Sequence, residues 1–201
     1  ITGESSTDLF GASVSFAGDV NKDGIDDIII GAPGYNSGQG AAYVIYGRNS
    51  PISDTTALAE FSTRGFKLIG VTVGDAFGTA VSFAGDLDRD GYDDVIIGAP
   101  NNNVNRGTSY VFLGKTLISV PVGWPSVSVS PPLSFQGFLV RGVNANDGLG
   151  SSVSNAGDIN KDGYDDILIG AYGKNGNQGA AYVIYGKPTL DFLNIDLSSL
   201  T

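Results

Sequence analysis

Asp19-Val-Asn-Lys-Asp-Gly-Ile-Asp-Asp27 occurs three times in this chain with small changes. The other two copies are Asp86-Leu-Asp-Arg-Asp-Gly-Tyr-Asp-Asp94 and Asp158-Ile-Asn-Lys-Asp-Gly-Tyr-Asp-Asp166. Each copy has oxygen-bearing side chains at positions one, three, five and nine, and glycine at position six. This pattern is typical of a loop curled around a calcium ion, because that hard cation takes about six to eight oxygen ligands. The copies begin 67 and then 72 residues apart, so the loop belongs to a structural repeat.

Five residues of each loop are the predicted calcium ligands. The residues at positions one, three, five and nine contribute side-chain oxygens, and the residue at position seven contributes its backbone carbonyl. They are Asp19, Asn21, Asp23, Ile25 and Asp27 in the first loop, Asp86, Asp88, Asp90, Tyr92 and Asp94 in the second, and Asp158, Asn160, Asp162, Tyr164 and Asp166 in the third. We expect three Ca²⁺ sites rather than Mg²⁺ sites, because Mg²⁺ requires a tighter octahedron and releases its waters reluctantly. The second loop has one more carboxylate among its ligands, so we expect it to bind most tightly.

An EF-hand is the competing interpretation of the acidic loops. That motif places a bidentate Glu at position twelve and continues into a helix. Position twelve here is Ile30, Ile97 or Ile169, inside a β-branched run, so an EF-hand is excluded. The eighth residue of each loop does not fit the ligand pattern, and we expect it to cap a turn or to lie in solvent.

Strand-like segments flank every loop in the same order. They are residues 10–17, 28–33, 41–47 and 66–70 in the first repeat, 77–84, 95–100, 108–114 and 138–142 in the second, and 149–156, 167–172 and 180–186 in the third. Four short antiparallel strands at this spacing predict an all-β fold made of propeller blades. We therefore expect one partial β-propeller domain over 1–201, with repeats 4–70, 71–142 and 143–201, the last without its fourth strand.

Composition restricts the possible functions of the chain. Its formal net charge of −10 argues against nucleic-acid binding, which requires a basic surface. No apolar run is long enough to cross a bilayer. Cysteine and histidine are both absent, which removes disulfides and the usual base of a Ser-His-Asp or Cys-His site. With most aspartates assigned to metal, we expect the chain not to be an enzyme.

The ends of the sequence predict an open assembly of blades. The chain contains no methionine and opens with Ile1-Thr2-Gly3, which matches the end of a fourth strand at Leu68-Ile69-Gly70. We expect a piece of a longer tandem array whose neighbouring repeats close the propeller. The alternative is that a second copy of the chain closes a ring of six blades, since open sheet edges attract partners.

Two short motifs flank the first acidic loop, Phe10-Gly11 before it and Gly31-Ala32-Pro33 after it. With the loop between them, they resemble the FG-GAP repeat of the integrin alpha-subunit propeller and its bacterial relatives. Phe77-Gly78 and Gly98-Ala99-Pro100 match equally well, whereas the third copy has Leu149-Gly150 and Gly170-Ala171-Tyr172. The resemblance implies an extracellular or cell-surface module that binds calcium and acts in adhesion or in recognition of a protein or glycan.

The turns at the opposite end of the strands from the acidic loops form the predicted ligand-binding surface. Its candidate residues are Tyr35, Asn36, Asn101, Asn102, Asn103, Arg106, Tyr172, Lys174 and Asn175. Asn and Gly are also ordinary turn residues, which is the simpler explanation for most of this set. Two other functions remain open: a structural subunit that assembles through its open blades into rings or filaments, and a domain associated with a hydrolase.

Overall fold

Three antiparallel sheets, one for each repeat, make up the part of the chain that the structure describes. The structure is a computed structural model, and it describes residues 1–49, 64–114, 126–128, 137–188 and 195–200. Its strands are β1 Ser13–Gly18, β2 Asp27–Ala32, β3 Ala41–Ile45, β4 Gly65–Ile69, β5 Ala80–Gly85, β6 Asp94–Ala99, β7 Thr108–Phe112, β8 Ser126–Ser128, β9 Gly137–Arg141, β10 Leu149–Gly157, β11 Asp166–Ala171, β12 Ala180–Ile184 and β13 Ile195–Asp196. The one-turn helices α1 Tyr35–Gly38, α2 Asn102–Asn105 and α3 Lys174–Asn177 and the 3-10 helix Leu197–Leu200 complete the elements.

The strand order within each sheet is that of a propeller blade. The first sheet has the order β1-β2-β3-β4, the second β5-β6-β7-β9, and the third β10-β11-β12 among the described residues. Every neighbouring pair in these blades is antiparallel. Strands β1, β5 and β10 pack beside one another and are therefore the inner strands of the blades. The predicted fold class, all-β with propeller blades, is confirmed.

Two short strands extend the blades beyond the four that the sequence predicts. Strand β8 pairs in parallel with β4, although it comes from the connection that precedes β9 in the next blade. Strand β13 pairs with β9 in the same parallel manner. Each short strand therefore joins the outer edge of the preceding blade, and this cross-blade pairing was not anticipated from the sequence.

Apolar side chains fill the two spaces between neighbouring blades. Ile29 and Val44 of the first blade pack in one cluster with Ile97 of the second. Ile96, on the other face of the second blade, packs in a separate cluster with Ile169 of the third. Adjacent residues of a strand point to opposite faces, so the isoleucines of β6 serve both interfaces. This explains why the second strands are apolar throughout.

The two outermost blade faces keep some apolar side chains at the surface, although Ile30, Tyr43 and Ile45 on the outer face of the first blade are buried. Val14 is 67% exposed, whereas its equivalent Val81, which faces the first blade, is 5% exposed. At the other end Leu168 is 38% exposed, while the equivalent Ile29 and Ile96 are fully buried. Comparing equivalent positions in the three blades thus shows that Val81, Ile29 and Ile96 are buried by a neighbouring blade, whereas Val14 and Leu168 have no such neighbour within the described residues. Within the described residues, no helix is long and apolar enough to cross a membrane.

Candidate metal centres

The three acidic loops connect the first two strands of each blade and share one backbone conformation. The fourth residue is left-handed in every copy, with φ of 60° at Lys22, 58° at Arg89 and 61° at Lys161. The sixth residue is a glycine with φ between 83° and 92° in the three loops, a region that glycine adopts without steric cost. These two reversals curl the segment tightly enough for the carboxylate at position one to reach the backbone amides at positions five and six.

Backbone amides orient the carboxylates of the first five positions. In the first loop the Asp23 amide donates to Asp19 Oδ1 at 2.9 Å, and the Gly24 amide donates to Asp19 Oδ2 at 2.7 Å. The Ile25 amide donates to Asp23 Oδ1 at 2.9 Å, and Asn21 Oδ1 accepts from the Asp23 amide at 2.9 Å. The same bonds recur with Asp86, Asp88, Asp90 and Tyr92 in the second loop and with Asp158, Asn160, Asp162 and Tyr164 in the third.

The ninth aspartate is the first residue of the second strand, and it joins its loop to the residues that follow the third strand. Asp94 is fully buried, and its carboxylate accepts from the Leu87 amide at 2.9 Å and from the Gly114 amide at 3.0 Å. Asp27 and Asp166 make the equivalent pairs of bonds. A carboxylate can accept from two amides and keep lone pairs for a cation, so the anchoring role and a ligand role are compatible.

Carboxylate oxygens converge most closely in the second loop. Asp86, Asp88 and Asp94 each place one oxygen within 4.8 Å of the others, the only such group of carboxylates among the described residues. The first and third loops have asparagine at position three, and its Nδ2 donates to the carboxylate of Asp23 or Asp162. An all-oxygen donor set of this kind fits a hard cation such as Ca²⁺.

Burial raises the pKa of two of the anchoring carboxyls, Asp27 and Asp94. The pKa of Asp27 rises from 3.8 to about 7, mainly through desolvation, and the charges of Asp23 and Asp19 add to the rise. The amides of Gly47 and Val20 act in the opposite direction. Burial likewise raises the pKa of Asp94 well above its ordinary value. A cation in the loop would oppose these shifts, because an adjacent positive charge favours the ionised carboxylate.

The eighth residue is the functional position that sequence reasoning missed. Asp93 of the second loop accepts the amide of Asp19 in the first loop at 2.7 Å, and Asp165 accepts the amide of Asp86 at 3.0 Å. Asp26, in the same position of the first loop, makes no side-chain hydrogen bond within the described residues. The only available signal was the recurrence of aspartate at a position that the ligand pattern does not use.

Basic residues at position four also reach the following loop. Lys22 Nζ donates to the Asp90 carbonyl at 3.2 Å and lies 4.8 Å from the ring centroid of Tyr92. Arg89 approaches the ring of Tyr164 in the same way, at 5.5 Å. Neighbouring loops are therefore joined by contacts in both directions.

The predicted ligand-binding residues lie in the turns at the other end of the blades, and the structure divides them into two groups. Asn102 is held by bonds to Asp75 and Thr108, and Lys174 pairs with Asp147 at 3.4 Å. Tyr35 and Arg106 are half-buried. The exposed members are Asn36, Asn101, Asn103, Tyr172 and Asn175. Asn36, Asn103 and Asn175 have left-handed backbones, a conformation that asparagine tolerates well, so part of their role is structural.

The chain is similar in sequence to integrin alpha subunits from several animals. Integrin alpha-IIb from Homo sapiens is 33% identical over 186 residues, which cover 87% of this chain and 16% of the relative. Integrin alpha-5 from Xenopus laevis is 33% identical over 198 residues, covering 94% and 17%. Integrin alpha pat-2 from Caenorhabditis elegans is 34% identical over 189 residues, covering 90% and 14%. The chain thus spans only about a sixth of the length of these relatives.

The family comparison matches the same units that the structure defines. The FG-GAP repeat matches residues 10–45, 77–112 and 149–184, and each match runs from the first strand through the acidic loop to the end of the third strand. Together these segments cover more than half of the chain. The expectation that the chain is not an enzyme is confirmed by its relatives. The chain belongs to the FG-GAP repeat family.

Proposed function

We propose that this chain is a calcium-binding propeller module that acts in extracellular adhesion or in recognition of a protein or glycan. The observation that carries the proposal is the common geometry of the three acidic loops, whose carboxylates are oriented by backbone amides and converge in the second loop. Similarity to integrin alpha subunits supports the adhesion role and the cell-surface location. In this proposal calcium neutralises the clustered carboxylates and makes the loop end of the blades rigid.

A thermal melt with and without calcium tests the proposal. The chain is freed of cations with a chelator, and unfolding is then followed at increasing Ca²⁺ concentration, with Mg²⁺ as the matched control. A ligand that binds only the folded state at a hundred times its Kd adds about 2.7 kcal/mol per site, so the melting temperature is expected to rise strongly with Ca²⁺ and less with Mg²⁺. An identical melt in chelator and in calcium would overturn the proposal.

We assign ligand recognition to the exposed turn residues at the end of the blades opposite the calcium loops. The exposed side chains there are Asn36, Asn101, Asn103, Tyr172 and Asn175. Tyr172 is 64% exposed and can provide apolar contact together with a hydrogen-bonding hydroxyl. Binding to arrayed glycans and cell-surface proteins, compared between the chain and Tyr172→Ala, tests this assignment. Equal binding by both proteins to every ligand found would place recognition elsewhere.

A second candidate function is a structural subunit that assembles through its outermost blade faces. The specific observation is that Val14 at one end and Leu168 at the other are exposed, whereas their equivalents Val81, Ile29 and Ile96 are buried between blades. Neighbouring FG-GAP repeats or a second copy of the chain would cover these faces. Light scattering at increasing concentration tests self-assembly, and a monomer at all concentrations would exclude this candidate.

A further inference from the structure

We propose that Asp93 and Asp165, the eighth aspartates of the second and third acidic loops, are positioning residues for the cation site of the preceding blade. Asp93 would thus support the site formed by the first loop, and Asp165 the site formed by the second. This inference rests on the proposed binding of calcium. It adds that the first two sites are not independent of the rest of the chain, because each depends on a residue contributed by the next blade.

The contact between the first and second loops is made from both sides. The Asp19 amide donates to Asp93 Oδ2 at 2.7 Å, and the Asp93 amide donates to the Asp19 carbonyl at 3.3 Å. Asp19 is also the residue whose carboxylate accepts the amides of Asp23 and Gly24. The bond from Asp93 therefore fixes the backbone of the residue at position one, on which the curl of the whole loop depends.

The glycine before each loop shows that the joint is closely packed. A Cβ atom on Gly18 would lie 2.2 Å from Asp93 Oδ2, and a Cβ atom on Gly85 would lie 2.3 Å from Asp165 Oδ2. Among the described residues, no atom lies within 4 Å of such a Cβ on the third equivalent, Gly157. A Cβ would thus collide at the two glycines that face an aspartate of the following blade.

A second contact strengthens each joint independently. Lys22 extends from the first loop to the Asp90 carbonyl and the face of the Tyr92 ring, and Arg89 extends from the second loop to Tyr164. A cation over an aromatic ring contributes about 0.5–1 kcal/mol at exposed sites. Each of the first two loops therefore receives an aspartate from the next blade and sends a basic side chain to it.

Thermodynamic linkage gives the consequence of this arrangement. If packing of the second blade against the first orders Asp19, the first loop binds its cation more tightly. The bound cation must then stabilise the packing of the two blades by the same free energy. Asp93 also brings its carboxylate next to Asp19, to whose amide it is bonded at 2.7 Å, and a nearby negative charge favours a bound cation.

The experiment measures calcium affinity loop by loop. The amide resonances of Gly24, Gly91 and Gly163 report the three loops separately, because each amide is bonded to the first aspartate of its own loop. The chain and its Asp93→Ala variant are titrated with Ca²⁺ alone. We expect the apparent Kd at Gly24 to rise about tenfold, within the usual range of coupling between two sites, and the Kd at Gly91 and Gly163 to stay within about twofold.

Three further variants make the result specific. Asp165→Ala should weaken binding at Gly91, and Asp26→Ala, the same substitution at the position with no described partner, should change none of the three affinities. Asp93→Asn keeps a side-chain acceptor and a folded joint while removing the charge, so it should give a smaller effect at Gly24. If Asp93→Ala fails to fold, Asp93→Asn tests the proposal in its place.

The outcomes separate this inference from the function on which it rests. A chain whose three glycine amides do not respond to Ca²⁺ overturns the proposed function. A chain that responds normally, but whose Asp93 variants lose affinity at Gly91 rather than at Gly24, overturns the positioning role alone. The same holds if Asp26→Ala weakens the first loop as much as Asp93→Ala does.

Discussion

Single residues decide how much charge each acidic loop presents to a cation. The second loop has Asp88 at position three, where the others have Asn21 and Asn160. Replacing Asp88 with Asn makes the second loop equivalent to its neighbours, so we expect its calcium Kd to increase by about tenfold. Asn160→Asp is the matched gain of charge and should tighten the third loop. Calorimetric titration that finds Asp88→Asn without effect would contradict the expected ranking.

The buried carboxyls predict how the cation-free protein responds to pH. Burial raises the pKa of Asp27 to about 7 in the folded chain, so the folded state holds a proton that the unfolded state releases near pH 4. Stability from this group is complete below the unfolded pKa and is lost as the pH rises through the folded pKa. We therefore expect the melting temperature in chelator to fall between about pH 5 and 7.5, and saturating calcium to reduce that slope.

Asp27→Asn is the control for this pH dependence, because it removes the titrating group and should flatten the curve. A melting temperature in chelator that rises over the same pH range would show that the carboxyl is not protonated at neutral pH in the folded chain.

The curled geometry of the acidic loops could be anticipated from sequence because each loop is a local structure. Residues such as Asp19 and Asp23 are four positions apart, and a single curled segment brings them together without help from the rest of the fold. Asp93 was misjudged for the opposite reason. Its partner, the Asp19 amide, is 74 residues away, and no periodicity within one repeat predicts a bond to the preceding one.

At the scale of elements, the strands within a blade were predictable and the short cross-blade strands were not. The alternation in segments such as 10–17 and the β-branched runs after each loop identify strands directly. Strand β13 has only two residues, Ile195 and Asp196, and its pairing with β9 depends on how the third blade lies against the second. A segment this short carries no usable pattern.

The docking of the chain end on the second blade gives an element-scale prediction. Leu197, which follows β13, is 3% exposed and belongs to the cluster between the second and third blades. Leu197→Ala should lower the free energy of unfolding by about 2–5 kcal/mol, because it removes buried methyl groups and leaves a cavity. Leu9→Ala, at a side chain that is 61% exposed, is the matched control and should change stability by less than about 0.5 kcal/mol in chemical denaturation. Equal effects would mean that the 195–200 segment contributes no packing.

At the scale of the whole molecule, the outermost blade faces predict association. If a second copy covers the first blade, Val14→Asp should weaken self-association by at least about tenfold, because it places a charge on a face that must become buried. Val104→Asp is the matched control, since Val104 is as exposed but lies in α2, away from that face. Sedimentation velocity over a range of concentrations measures both. Association that is lost equally in the two variants would assign the contact to another surface.

The contacts between loops also have a direction along the chain. At both joints between the three blades, the earlier blade offers an amide and a basic side chain, and the later blade offers an acidic side chain in return. A duplicated or transplanted blade would therefore already contain the amide and basic side chain for the joint on one side and the acidic side chain for the joint on the other. Lengthening such an array by gene duplication would need no compensating mutations at the new boundary.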